Sequence, residues 1–259
     1  GNRVQIAKDE FIEQKTLALF KKMLPDVEFH KEAYYNYKNP ETKLKCTNSV
    51  DGRYELDILG ISENATYLIE VKAGLVSDAS KRGALSSIKT DLTGIIGDAI
   101  CQSHRASLYI EENENPTFEI STGEVVSPKN KNKIYRISIS FSVVGTLISA
   151  LSKLQQYGII DENSEFAWAI NIYDLMAFAD LVDSEKMFMD YLDKRLPLYN
   201  NERLATTDEM DLLGLYFRKD LKIGNSIKRS DSVQLYEFKK NIDNYFEKNG
   251  PRPFKKSLK

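Results

Sequence analysis

The sequence predicts an α/β fold in which a mixed sheet is flanked by helices and followed by a helical C-terminal extension. Three observations predict it. Up to Val143, segments with the apolar period of a helix alternate with segments that have the period of a strand. Two central strand segments are separated by four residues of turn chemistry, Ser62 to Ala65. The last third reads as successive helices, and such an order is typical of a sheet with helices on its faces.

The first six elements have the order helix, strand, strand, strand, helix, strand, or αβββαβ. The spacing predicts a helix over 8–24 that Pro25 ends, strands over 27–35, 54–61 and 66–72, a helix over 92–111 and a strand over 134–143. Because the link at 62–65 is short, the second and third strands should form an antiparallel hairpin. Residues 112–133 are polar and predict a loop with at most a short hairpin.

Further elements are predicted towards the C-terminus: a helix over 146–157, a strand over 166–172, helices over 174–182, 184–196 and 208–221, and an amphipathic stretch over 233–246. We therefore divide the chain into a core over residues 1–175 and a helical extension with a basic tail over residues 176–259.

The composition is that of a globular protein, with 42% hydrophobic and 29% charged residues in a chain of 259. No apolar run approaches the ~20 residues of a membrane span, so we expect no membrane partner. The chain lacks an initial Met and a signal-peptide core, which indicates a processed chain or a piece of a longer protein. Because Cys46 and Cys101 are far apart in the sequence, we expect no disulfide framework and a cytoplasmic location.

Charge is unevenly distributed, although the net charge is only −2. Residues 217–259 carry a net charge of +7, and the rest of the chain carries −9. A basic tail on an acidic body offers an electrostatic contact for phosphate. The alternative, a solubilising and partly disordered terminus, stays open.

Two carboxylates and a lysine lie on the predicted central strands. Because side chains alternate along a strand, Glu70 and Lys72 share one face of the third strand, and Glu55 and Asp57 share a face of the second. The hairpin should then bring Asp57 beside Glu70, with Lys72 next along.

Carboxylates this close repel each other unless one is neutral or a cation lies between them. A hard divalent cation would satisfy both, and Mg²⁺, with Mn²⁺ as a substitute, binds carboxylate and phosphate oxygens. It would polarise a phosphodiester, and Lys72 would add positive charge near the reacting phosphate. The alternative is a solvent-facing hairpin with scattered charges, which Ile58, Ile69 and Val71 disfavour because they mark the strands as buried.

Asp57 followed by Glu70-Val71-Lys72 resembles the PD-(D/E)XK motif of the restriction-endonuclease-like nucleases, and the αβββαβ order resembles their core. The resemblance covers residues 8–143 and is closest to the nuclease-related-domain group. Leu56 stands where the family name has Pro, a position that varies in the superfamily. The resemblance implies a metal-dependent endonuclease that hydrolyses DNA, with Asp57, Glu70 and the carbonyl group of Val71 at the metal.

The same resemblance points to two further residues. Many relatives carry an acidic residue on the first helix that reaches the metal, and Glu13 fits, with Glu10 as a competitor and a solvated helix face as the alternative. Many also carry a Gln on the helix after the lysine strand, which Gln102 resembles. Its implied role is a hydrogen bond to substrate phosphate or to Lys72, against an ordinary polar helix position.

Other functions stay open at this point. The same site would suit RNA, although DNA is favoured, and a catalytically idle fold would serve as a binding module for nucleic acid or protein. The intact set of Asp57, Glu70 and Lys72 speaks against idleness, since binding needs none of them. No motif of a sequence-specific reader is present, which points to a targeting domain or partner protein. A similarity of residues 208–213 to bacterial nuclease-like proteins implies a bacterial origin.

Overall fold

The computed structural model describes residues 2–38, 44, 46, 52–148, 150–201, 204–206, 208–222, 233–235 and 237–250. A seven-stranded mixed sheet with helices packed against it forms the centre of the protein. The α/β class and the helix-flanked mixed sheet predicted from the sequence are therefore confirmed.

The strands of the described chain are β1 (Glu28–Asn36), β2 (Arg53–Ile61), β3 (Thr66–Lys72), β4 (Phe118–Glu119), β5 (Val125–Val126), β6 (Ile134–Ser140), β7 (Trp168–Asn171), β8 (Leu204–Thr206) and β9 (Val233–Leu235). The sheet has the order β5-β4-β1-β2-β3-β6-β7, and β8 pairs with β9 separately. β1, β2 and β3 form an antiparallel meander, whereas β6 lies parallel to β3 and β7 parallel to β6. The predicted hairpin of β2 and β3 is confirmed.

The helices of the described chain are α1 (Asn2–Met23), α2 (Asp78–Lys81), α3 (Leu85–Leu92), α4 (Asp98–Glu112), α5 (Gly145–Ile148), α6 (Leu151–Gln156), α7 (Ile172–Leu181), α8 (Glu185–Arg195), α9 (Glu209–Lys219) and α10 (Lys240–Asn249). A π-helical turn (Thr93–Gly97) joins α3 to α4, and a 3-10 turn (Leu196–Asn200) follows α8.

Three of the predicted elements need correction. The helix predicted over 92–111 begins at Leu85 and is interrupted by the π turn, and residues 146–157 form α5 and α6 rather than one helix. The amphipathic stretch predicted over 233–246 is not one element, because β9 pairs with β8 before α10 begins. Glu237, which lies between them, has a φ of 71°, a left-handed conformation that a regular α-helix does not contain. Strand pairing here overrides the helical period of the sequence.

The sheet separates two apolar layers. Tyr67, Ile69 and Val71 of β3 pack in the layer that contains α1, α7, α8 and α9. Leu68 of the same strand packs on the other side, in a cluster with side chains of α4. β3 therefore alternates between the layers as its sequence predicts, and this alternation fixes the face to which Glu70 and Lys72 belong.

Side chains that follow residue 175 pack in the same layer as α1 and β3, among them Phe188 and Tyr191. Arg195 and Glu209 are both buried and form an ion pair, with 2.9 Å between Nε and Oε1. The indole Nε1 of Trp168 in β7 donates to the same carboxylate at 2.6 Å. The division into a core over 1–175 and an extension over 176–259 stays a prediction about chain organisation.

The predicted basic tail extends beyond the part of the chain that the structure describes. Residues 223–232 and 251–259 lie outside the described residues, so both interpretations of the tail stay predictions. Among the helices that are described, none is both long and apolar enough to cross a membrane.

A disulfide bond links Cys46 to Cys101, with a Cα–Cα distance of 5.6 Å. This bond contradicts the expectation that the two cysteines form no disulfide. The connection between β1 and β2 passes beside α4 at Cys46, and a separation of 55 residues in the sequence carried no sign of this proximity. Because disulfides persist in oxidising compartments, the bond weighs against the reducing cytoplasm expected above, a location that stays a prediction.

Cys46→Ser should lower the free energy of unfolding. The bond closes a loop with a sequence separation of 55 residues, for which the chain-entropy model gives a limit of about 4 kcal/mol. Urea unfolding of the oxidised wild type, the reduced wild type and Cys46→Ser measures the loss. The reductant should not affect the variant, which serves as the control. Equal midpoints for oxidised and reduced wild type, together with two titratable thiols in the denatured oxidised protein, would contradict the bond.

Candidate active site

β2 and β3 separate at Asp57, and we call this point the strand fork. Their antiparallel pairing runs from Ile61↔Thr66 to Ile58↔Ile69. One residue beyond, Asp57 Oδ2 accepts a hydrogen bond of 2.6 Å from the backbone N–H of Val71. The carboxylate therefore satisfies a backbone donor of β3 from the side, which fixes its position at the end of the hairpin.

Regular alternation does not hold through Asp57 in β2. Leu56 and Ile58 are two residues apart, yet they pack in the α4 layer and the α1 layer respectively. Glu32 of β1 and Asp57 of β2 are left out of the Cα pairing between these two described strands. Glu32 has a φ of 52°, which is in the left-handed region. This local distortion turns the chain at the strand fork, so the period of two does not assign a face to Asp57.

Glu70, Lys72 and Asp57 form a compact charged cluster at the strand fork. Lys72 Nζ donates to Glu70 Oε2 at 3.1 Å and lies 3.9 Å from Asp57 Oδ2. Glu70 is only 1% exposed. No group in the described residues donates to its buried Oε1. The structure thus brings together the three residues that the sequence singled out.

Burial and neighbouring charges together shift the pKa values of this cluster. Burial, and next the charge of Asp57, raise the pKa of Glu70 to about 8, against the opposing effect of Lys72. Burial by itself lowers the pKa of Lys72, but the charges of Glu70 and Asp57 outweigh it and raise that pKa. The cluster therefore holds more negative charge than its surroundings favour, and Lys72 compensates part of it.

A pocket of about 370 Å³ opens beside the cluster. It is lined by Asp9 and Glu13 of α1 and by Asp57 with residues 71–74. Gly94 of the π turn also lines it. Because π turns often occur at functional sites, the interruption between α3 and α4 at this pocket is consistent with a functional role.

Of the two acidic candidates on α1, Glu13 lines the pocket. Glu13 Oε2 forms an ion pair with Lys31 Nζ at 3.3 Å. Burial, and next the charge of Asp57, raise the pKa of Glu13. Glu10 is exposed, and its Oε1 accepts from Gln14 Nε2 at 3.3 Å on the helix surface. Asp9 was missed by sequence reasoning, although it precedes Glu13 by one helical turn and this spacing could have identified it.

Gln102 lies buried on α4 and is not one of the described residues that line the pocket. Arg105, one turn later, is also buried and was missed from the sequence. Its Nε donates to the hydroxyl group of Tyr35 at 3.3 Å, and its guanidinium lies 3.8 Å from the ring centroid of Tyr54. Its charge acts to lower the pKa of Glu70, so Arg105 adds positive potential behind the cluster.

The described residues contain no group of three or more His, Cys, Asp or Glu side chains able to hold a metal ion together. At the strand fork, the side chains able to bind a metal ion are fewer, namely the carboxylates of Asp57 and Glu70. The buried Oε1 of Glu70, without a donor among the described residues, is the kind of oxygen that a hard cation satisfies. On this observation the residues fit a cation that takes its remaining ligands from water and substrate.

No family model, no curated protein and no solved structure matches this chain. The similarity to the PD-(D/E)XK nucleases therefore stays a prediction that depends on the motif and the order of elements.

Glu70→Gln should stabilise the metal-free protein increasingly as the pH rises. A carboxyl group with a raised pKa binds more protons in the folded chain than in the unfolded chain. Wild type should therefore lose stability between pH 4.5, the ordinary pKa value, and about 8. The glutamine does not ionise, so the variant should gain up to a few kcal/mol relative to wild type across this window.

Urea unfolding in EDTA at several pH values measures this difference, and the exposed Glu114→Gln is the matched control. A stability difference between Glu70→Gln and wild type that does not change with pH would show that Glu70 ionises normally.

Proposed function

We propose that this chain is a metal-dependent nuclease of the restriction-endonuclease-like type that hydrolyses phosphodiester bonds of DNA as an endonuclease. One observation carries the proposal. The buried Oε1 of Glu70, which lacks a donor in the described residues, belongs to a cluster with Asp57 and Lys72, and both of these line an open pocket. The order α1-β1-β2-β3-α4-β6 supports the proposal too, because it follows the αβββαβ order of that core.

Asp57 and Glu70 would hold the cation, with the carbonyl oxygen of Val71 as a further ligand. Glu13, the remaining predicted ligand, would first have to leave its ion pair with Lys31, because the described carboxylates do not form a group of three around one ion. Mg²⁺ suits this small set because it commonly binds one or two carboxylates and completes its shell with water and substrate phosphate, and Mn²⁺ would substitute. A bound Mg²⁺ supplies electrostatic stabilisation of the charge that develops on the phosphate.

The remaining contributions come from the chain itself. Lys72 places an ammonium group in the pocket wall, where it can donate to a phosphate oxygen and stabilise negative charge in the transition state. The Val71 N–H keeps Asp57 in one orientation. Arg105 lies behind the cluster on α4 and acts as a positioning residue through its charge. The predicted hydrogen bond of Gln102 to Lys72 or to a phosphate oxygen is part of this proposal, although Gln102 is not among the described residues that line the pocket.

A second candidate is a catalytically idle fold that binds nucleic acid or protein. One observation favours it: Lys72 Nζ lies 3.1 Å from Glu70 Oε2, so the pair partly neutralises itself without a metal. Incubation with plasmid, linear duplex, single-stranded DNA and RNA in Mg²⁺, Mn²⁺ or EDTA separates the two. Metal-dependent cleavage supports the nuclease, cleavage of RNA alone changes its substrate class, and binding without cleavage of any substrate favours the idle fold.

Lys72→Ala should fold and bind nucleic acid but lose cleavage by about 100-fold or more, the usual cost of removing one group that stabilises transition-state charge. Single-turnover cleavage rates in Mg²⁺ measure the loss. The exposed Lys129→Ala removes the same charge outside both the pocket lining and the basic tail, and it should leave the rate unchanged. A wild-type rate from a clean preparation of Lys72→Ala would place the chemistry elsewhere.

Asp57→Asn should bind DNA in EDTA at least as tightly as wild type while losing metal binding and cleavage. The amide removes one negative charge where the phosphate must lie, and like charges at close range repel. It also retains an oxygen that can accept from the Val71 N–H, so the strand fork should persist. Gel shifts in EDTA and calorimetric titration with Mn²⁺ measure the two effects.

Asp57→Ala is the matched comparison, because it removes the charge and also the acceptor for Val71 N–H. It should be less stable than Asp57→Asn. Undiminished Mn²⁺ binding by Asp57→Asn, or clearly weaker DNA binding by the folded variant, would remove Asp57 from the metal-phosphate centre.

A further inference from the structure

The segments that follow β3 and β6 are fastened together at the rim of the pocket. The backbone N–H of Phe141 donates to the carbonyl oxygen of Lys72 at 2.9 Å. Ser142 Oγ donates to the carbonyl oxygen of Gly74 at 2.7 Å. Lys72 and Gly74 both line the pocket. The backbone of Phe141 is therefore hydrogen-bonded directly to the backbone of Lys72, the proposed catalytic lysine.

Two aromatic rings stand side by side at this rim, and we call them the ring pair. The centroids of Phe141 and Tyr173 are 6.0 Å apart, with 43° between the ring planes. Tyr173 lies in the first turn of α7, where its backbone N–H donates to the capping side chain of Asn171 at 3.0 Å. Its side chain is 52% exposed, so a large part of an anchored aromatic ring faces solvent.

A cation accompanies the ring pair. Lys8 Nζ lies 4.7 Å from the ring centroid of Phe141 and donates to the carbonyl oxygen of Ala73, another residue of the pocket wall. An ammonium group has three donors, so this hydrogen bond leaves capacity for a phosphate oxygen. Leu75 and Val143, which directly follow Gly74 and Ser142 in the chain, are exposed apolar residues.

This combination is unlike a single exposed apolar residue, which is common on protein surfaces. An aromatic face with a neighbouring cation is what proteins use to bind single strands, with bases stacked on rings and phosphates held by lysine or arginine. A duplex keeps its bases stacked on one another, so its base faces are closed to such rings. The chemistry of the rim therefore favours an unpaired base.

We infer that the ring pair and Lys8 form a stacking platform for an unpaired base of a single-stranded nucleic acid whose backbone enters the pocket at Lys72. The inference rests on the proposed nuclease function and narrows its substrate class to single strands or to duplexes with an unpaired segment. The platform uses side chains outside the charged cluster, so binding and cleavage can be tested apart.

The test measures binding of the full chain in EDTA by fluorescence anisotropy, with a labelled oligothymidylate and a duplex of equal length as probes. Wild type should prefer the single strand. Tyr173→Ala should weaken single-strand binding by about 5- to 150-fold, the range for one lost base–aromatic stack, and should leave duplex binding nearly unchanged. Tyr173→Trp should retain single-strand binding, because stacking needs the ring and not the hydroxyl group.

Tyr157→Ala is the matched control, since Tyr157 is 73% exposed at the end of α6 and lies outside the ring pair. It should bind both probes as wild type does. Lys8→Met should weaken single-strand binding and lower its salt dependence, because one contact to phosphate is lost. Thermal unfolding of each variant establishes that the surface substitutions leave the fold intact.

The inference is overturned if Tyr173→Ala binds the oligothymidylate as tightly as wild type, or if wild type binds the duplex in preference. These outcomes are separate from failure of the nuclease proposal, which is an absence of cleavage in Mg²⁺ and Mn²⁺. A protein that cleaves only duplex would retain the proposed function and lose the platform. If single strands bind to the ring pair but no substrate is cleaved, the platform is supported and the proposed nuclease function is lost.

Discussion

One backbone donor determines how the centre of this protein is arranged. Where β2 and β3 part, the N–H of Val71 finds its acceptor in the carboxylate of Asp57 rather than in a strand carbonyl. An unsatisfied buried donor costs about 1–3 kcal/mol, so this contact resists any rotation of Asp57 away from β3. The closeness of Asp57 to Lys72, and the opening of the strands beside them, both depend on it.

The charged side chains at the strand fork lie in surroundings that disfavour ionised carboxylates. Apolar layers cover both faces of the sheet, and Glu70 lies within that packing, with its charge opposed by burial and by Asp57. Lys72 and Arg105 offset part of the cost from two sides. Charged groups that lower stability in this way are common at functional sites, and the surrounding core supplies the stability that they take away.

Short-range periodicity made β3 predictable, including its bounds and the shared face of Glu70 and Lys72. The same rule failed at Asp57, because the left-handed residue Glu32 on the neighbouring strand distorts the pairing and leaves no local mark in the sequence of β2. Contacts between distant segments, such as the disulfide and the ring pair, were likewise beyond local patterns. Asp9 is different, since helical spacing from Glu13 was sufficient to find it.

The π turn between α3 and α4 changes the direction in which the side chains of the second helix point relative to those of the first. One extra residue in a helical turn rotates everything after it by about 100° about the helix axis. Gly97 in this turn lets the backbone at Ile159 approach closely, because a Cβ there would lie 2.1 Å from the carbonyl oxygen of Ile159. Leu92 of α3 and Ile100 of α4 pack in the same apolar cluster as Leu151 of α6. A single-residue insertion or deletion between them would rotate one helix relative to the other by about 100° and separate these side chains, so the length of this segment is constrained by its packing.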